Sequence, residues 1–422
     1  MLSISRRGLS GAAMAMALML GSGGAITAIA TPAAAKEAPL KLSKGFTALA
    51  GPLQTDIGKA KDQASAAALR PRVEAAIAAA QTVDDRFFAG QFAIQVGQTS
   101  KDDALVRQGL ESVIASGRFS GPELGKYHFF LGGIQLNARE HAAAQSSFSS
   151  AIASGYRENN VEVLLAESYF GAGQTDAGYA ALFKAIESRK AAGSPAPQEW
   201  YARGISLAYR AKQYGKAMPF AMAMVEASAT KDNWADTIGI ARMANSFQAQ
   251  ETLDLMRLMR RTASFREASD YSEYLQAADA RRLPAEVLKV LDAGTAAGKL
   301  SAGDIFVSEN RATATARLAA DKSGLPALDR DARLPAATVA TVMAAADAQL
   351  SYDDAAKAEQ LYTIALAKPG VDADRALTRL GIAQVDLGKY AEAQATFARV
   401  GGVRKPIAEL WTIYAAQKAK GG

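Results

Sequence analysis

The clearest alternation of apolar, small and polar positions lies in residues 373–406, ADRALTRLGIAQVDLGKYAEAQATFARVGGVRKP. Leu377, Leu380 and Gly381 sit on its first half, and Gly388 and Tyr390 mark a turn. Ala393 and Phe397 follow on the second half, and Pro406 closes it. Small residues at those places let two antiparallel helices approach, and the large ones fill the seam between them. Few runs elsewhere are β-branched or alternate with period two, and good helix formers abound. The pattern predicts an all-α chain.

Related units recur upstream. Ile114-Ala115-Ser116-Gly117 returns as Ile152-Ala153-Ser154-Gly155, with Leu110 and Phe148 in the same register. From Tyr127 a unit carries Leu131, Gly132, His141, Ala144, Phe148 and Ala151. The next has Leu165, Tyr169, Gly173, Gly178, Leu182 and Ala185, and another has Trp200, Tyr214, Ala217 and Ala221. Ala358, Tyr362 and Ala365 occupy the second-helix places of a unit near the C-terminus. Periods of roughly 34–39 residues, repeated this often, predict a solenoid. The register of the helix from Phe87 stays ambiguous.

The middle is weaker. Residues 234–267 hold two helical segments without the turn glycines, and Pro284 and Gly294 suit the start and stop of a helix. Between Gly303 and Ala337, Pro326 and Pro335 bracket an Asp/Arg-rich segment, which predicts a loop or hinge near 322–335. The expected organisation is a lead-in over 36–83, repeats over 84–228, degenerate repeats over 229–334, and repeats with a capping helix over 335–422.

On these residues the chain resembles the tetratricopeptide-repeat superfamily over 84–228 and 335–406. The resemblance implies a right-handed superhelix whose concave face, built from the first helices, binds peptides or proteins. It places Lys126, Phe129, Tyr209, Arg210, Arg375, Thr378, Ile382 and Asp386 as candidate groove positions. A family clamp for terminal carboxylates would need Lys and Asn where Phe129, Gly133, Val163 and Glu167 stand, so that clamp is missing.

The N-terminus changes the setting. Arg6 and Arg7 precede an uncharged stretch rich in Ala, Met and Leu, and Ala33-Ala34-Ala35 forms a small-residue cleavage site. A signal peptide over 1–35 is expected, leaving a periplasmic or secreted bacterial protein with no membrane span after cleavage. Ser5-Arg6-Arg7-Gly8-Leu9 leaves both the general secretory and twin-arginine routes open. The chain has no cysteine, which excludes disulfides, thiol catalysis and thiolate metal sites. A formal charge of +6 spread over 422 residues lacks the clustering that nucleic-acid binding requires.

Candidate chemistry is sparse. His128 and His141 are the only two histidines, too few for a metal site, and His141 takes an aromatic packing place. Asp84-Asp85, Asp102-Asp103 and Asp353-Asp354 each precede a helical run, as capping residues do. Glu167-Ser168 before an aromatic resembles the catalytic glutamate of lytic transglycosylases, without that family's downstream motifs. Arg257, Arg260 and Arg261 share a helical face that is expected to be solvated, or to meet a polyanion. The expectation is therefore a non-enzymatic scaffold with no cofactor and no metal, binding a protein or peptide. A glycan-cleaving enzyme and an envelope glycan or polyanion binder stand as alternatives.

Overall fold

The computed structural model describes residues 40–421, and all regular structure among them is helical. The expected signal peptide lies outside the described residues. Helices α1 (Lys44–Lys59), α2 (Gln63–Ala67) and α3 (Arg70–Ala79) open the array. Hairpins follow: α4 (Val83–Ser100) with α5 (Asp103–Ser116), then α6 (Gly121–Asn137) with α7 (His141–Ala153). Next come α8 (Val161–Gly171) with α9 (Thr175–Ala191), and α10 (Gln198–Arg210) with α11 (Tyr214–Ala227). The middle holds α12 (Lys231–Ala244), α13 (Ala249–Arg261), α14 (Ala268–Ala278), α15 (Pro284–Ala296) and α16 (Ile305–Ala332). Hairpins α17 (Val339–Ser351)/α18 (Ala355–Leu366) and α19 (Ala373–Asp386)/α20 (Tyr390–Phe397) lead to α21 (Lys405–Ala419).

One packing device recurs. Gly132, Gly204 and Gly381 on first helices each lie under a phenylalanine of the second helix: Phe148, Phe220 and Phe397. A Cβ would meet the ring at 2.8 Å at Gly132, at 2.5 Å at Gly204, and closer still at Gly381. Absence of a side chain there is what lets the ring seat.

One turn recurs as well. A residue with positive φ follows each first helix: Lys101, Arg139, Gly173, Lys212, Asp353 and Gly388. The next amide then reaches back five residues, as Glu140 N does to Gln135 O (2.8 Å) and Lys389 N to Gln384 O (2.9 Å). That bond satisfies a carbonyl the helix end leaves free. Asp102 and Asp354 cap the helices that follow, and Asp85 completes a capping box with Thr82 at the start of α4.

Two expectations for the middle are corrected. Residues 322–332 are not a loop: they are helical and form the end of the 28-residue α16, with Pro326 inside it. Gly294 does not stop α15, which runs to Ala296; it gives room to Leu300 and Tyr271 instead. Pro284 does begin α15.

Packing differs between the two halves. Toward the N-terminus the buried apolar residues form three small clusters, within 46–105, 94–131 and 144–161. Such clusters are what nearest-neighbour stacking produces. From Ala166 to Ala415 there is a single continuous core. Its continuity comes from a closure: α21 and α19 fold back onto α11 and α13. Gln417 Nε2 donates to Val225 O (2.7 Å), Trp411 Nε1 donates to Asp254 O (3.0 Å), and the Arg261 guanidinium stacks 5.2 Å from the Trp411 ring. The last helix therefore joins the array to its own middle, beyond covering a terminal seam.

Candidate functional site

The first-helix positions fare differently along the chain. In α6, Lys126 is half-buried, and Phe129 is half-buried against Tyr156 (5.1 Å between ring centroids) and Phe130 (5.4 Å). Gly133 faces open space, with nothing within 4 Å of where its Cβ would stand. In α10, Tyr209 is 47% exposed and packs edge-to-face with Tyr214, while exposed Arg210 donates to Ser206. Between them, Arg203 of α10 binds both oxygens of Glu167 of α8 at 2.8 Å. Both oxygens of Glu167 are thus engaged by a guanidinium.

In α19 the middle of the same register is covered. Thr378 and Ile382 are fully buried, which corrects their reading as contact positions. Arg375 reaches Asp347 of α17 (2.6 Å), and Asp386 is held by two nitrogens of Arg261. The groove here is already filled, by α13.

The arginine face of α13 is corrected as well. Arg257 is buried rather than solvated, with its Nε and Nη2 on Glu286 (2.8 and 2.7 Å) and its Nη1 on Asp254 (3.1 Å). Arg260 alone remains loosely placed. It lies 3.9 Å from Asp353, and its buried Nε has no hydrogen-bond partner among the described residues.

Around Asp254 the ion pairs form one buried network. Arg379 Nε donates to Asp254 (3.0 Å) while its Nη1 donates to both oxygens of Asp347 (2.7 Å each). Arg404 joins Asp254 to Glu251, the latter at 2.9 Å. Tyr274 donates to Glu286 (2.6 Å) and Tyr362 to Asp347 (2.7 Å). Arg257, Arg375, Arg379 and Arg404 thus face Glu251, Asp254, Glu286 and Asp347, and formal charge cancels.

The balance shows in the proton affinities. Burial pushes the carboxyls of Glu286 and Asp347 up, but Arg257 for the first, and Arg379 with Arg375 for the second, hold each down to about 2. Burial likewise opposes the charge on Arg257 and Arg379, yet their carboxylates raise both above the usual arginine range. Buried charges persist only when matched in this way.

His141 packs its ring over Gly171 of the next repeat, where a Cβ would collide with the imidazole. His128 is lowered by burial alone. Among the described residues no group of three or more His, Asp or Glu could hold a metal ion, and no helix is long and apolar enough to cross a membrane.

No family model and no curated protein matches the chain. Among solved structures, the "TPR2AB-domain:pHSP90-complex of yeast Sti1" is similar at 14% identity, covering 71% of this chain and 97% of that one with a TM-score of 0.24. That score is too low to carry an argument about the ligand, and the description of the fold as stacked helical hairpins rests on the packing and turns above.

Proposed function

We propose that the chain is a non-enzymatic helical-repeat scaffold of the bacterial cell envelope that binds a protein or peptide partner along the first helices of α6, α8 and α10. One observation carries this reading. The place that Ile382 buries in α19 stays open at Gly133 in α6, and Tyr209 of α10 is exposed to solvent. A rigid face of helices with partly exposed aromatic side chains suits an extended or helical peptide segment. The signal-like N-terminal sequence supports export, by the general secretory or the twin-arginine route.

The test is site-specific photo-crosslinking in cells. A crosslinking amino acid at Gly133 or Tyr209 is expected to capture the same protein from both sites. The same residue at Ser149, on second helix α7, is expected to capture none of it. Equal capture from Ser149, or no shared adduct, overturns the surface. Recovery of the protein in the cytoplasmic fraction overturns the location.

A further inference from the structure

Helix α13 lies across the first helices of the last repeats in the way a bound peptide would. Its Asp254 accepts from Arg379 of α19, its Arg261 grips Asp386 of α19, and its carbonyl at Asp254 accepts from Trp411 of α21. Helix α17 completes the wall through Asp347, which holds Arg379 from the other side. Asp254 and Arg261 stand at i and i+7 on the face turned to that wall, while Arg257 between them turns to Glu286 of α15.

We propose that α13 is the internal occupant of a second binding groove, formed by α17, α19 and α21, and that this groove takes a partner's amphipathic helix once α13 leaves. The ligand chemistry follows from what α13 supplies. Without it, Arg375 and Arg379 would share Asp347 alone, Arg404 would lose both Asp254 and Glu251, and Asp386 would lose Arg261. A replacement must bring a carboxylate to the place of Asp254 and an arginine to that of Arg261.

Two further features favour release. Open clefts flank the closure: one of about 560 Å³ between α11 and α21, lined by Met222, Phe397 and Ile413, and one of about 710 Å³ beside Arg260. Side chains that line such a cleft lack contact partners on its open side. The C-terminal repeats also follow α16, which buries only Val307, Ala314 and Ala332 of its 28 residues and carries Pro326. Proline removes a helix hydrogen bond and creates a bending point.

Hydrogen exchange on the wild-type chain in mild urea tests the release. Amides of α13, α19 and α21 are expected to open together, at least tenfold faster than those of α4 to α7. Exchange of α19 and α21 only with the whole chain overturns the proposal. A fluorescent peptide of residues 247–263 tests the groove. It is expected to bind the full-length Asp254→Asn chain at least tenfold more tightly than wild type, because the variant's own α13 lacks the charge that Arg379 and Arg404 require. Equal binding, or none to either chain, overturns the groove, and the wild-type exchange result decides should the variant not fold. The N-terminal surface is read on other helices, so its success or failure is scored separately.

Discussion

Arg379 Nε lies 3.0 Å from Asp254 Oδ1 across 125 residues of sequence, and both side chains are fully buried. Asp254 also accepts from Arg257 and Arg404, so three guanidiniums share one carboxylate. Asp254→Ala leaves that positive charge uncompensated and should cost about 3–5 kcal/mol, the range for breaking a buried ion pair. Urea unfolding at neutral pH measures it. A loss under about 1 kcal/mol would show that the network relaxes without its hub.

The same network predicts acid sensitivity. Glu286 and Asp347 are held near 2 in the folded chain, below their ordinary values of 4.5 and 3.8. The folded state therefore binds fewer protons than the unfolded one, and stability falls as pH is lowered. The contribution is complete above about pH 5 and is lost as pH drops through about 2, on the order of 3 kcal/mol for each group. Urea midpoints between pH 6 and pH 3 should decline, and Asp347→Asn should flatten that slope while lowering stability at pH 7. An unchanged slope in Asp347→Asn would remove Asp347 as a cause.

Neighbouring glycines should respond in opposite directions. Gly132 lies under the Phe148 ring, so Gly132→Ala forces a clash costing about 1–3 kcal/mol. Gly133, one residue on, faces open space on the same helix, so Gly133→Ala should stabilise by about 0.5–1 kcal/mol through helix propensity alone. Thermal unfolding of the two variants checks both signs.

The residues that build hairpins were legible in the sequence because each acts locally. Gly381 and Phe397, or Gly132 and Phe148, repeat at fixed spacing and pack within one unit. Turns were less legible, since Lys101, Arg139, Lys212 and Asp353 adopt the positive φ that the eye seeks at glycine. The closure was not legible at all. Asp254 and Arg379 are partners only because the array bends far enough to bring α13 to α19, and no local period records that. A trace did exist: Asp347 sits in the apolar run VATVMAAADAQLS, and Arg257 lies among Leu255, Met256, Leu258 and Met259. A lone charge amid apolar neighbours on a helix signals a buried partner elsewhere. Reading Arg257 as solvated overlooked that its flanking residues surround it. Pro326 misled in the other direction, because a surface helix with few packing demands tolerates it.

Glu167 offers the last prediction, and it separates scaffold from enzyme. A glutamate acting as a general acid needs an environment that keeps its proton, an apolar wall or a neighbouring carboxylate. Here both oxygens accept from Arg203 at 2.8 Å, so the side chain faces a guanidinium rather than an apolar wall or a second carboxylate. The pair is about one-third exposed on each side, so it is screened and contributes no more than about 1 kcal/mol. Glu167→Gln should therefore fold normally, with an unfolding midpoint close to wild type, which makes its activity assay interpretable. On zymograms of purified cell wall, wild type and variant should both leave the gel uncleared. Clearing by wild type that vanishes in Glu167→Gln would overturn the scaffold reading. It would also require Arg203 to release the carboxylate when glycan binds, and Arg203→Ala should then raise the clearing rate rather than abolish it.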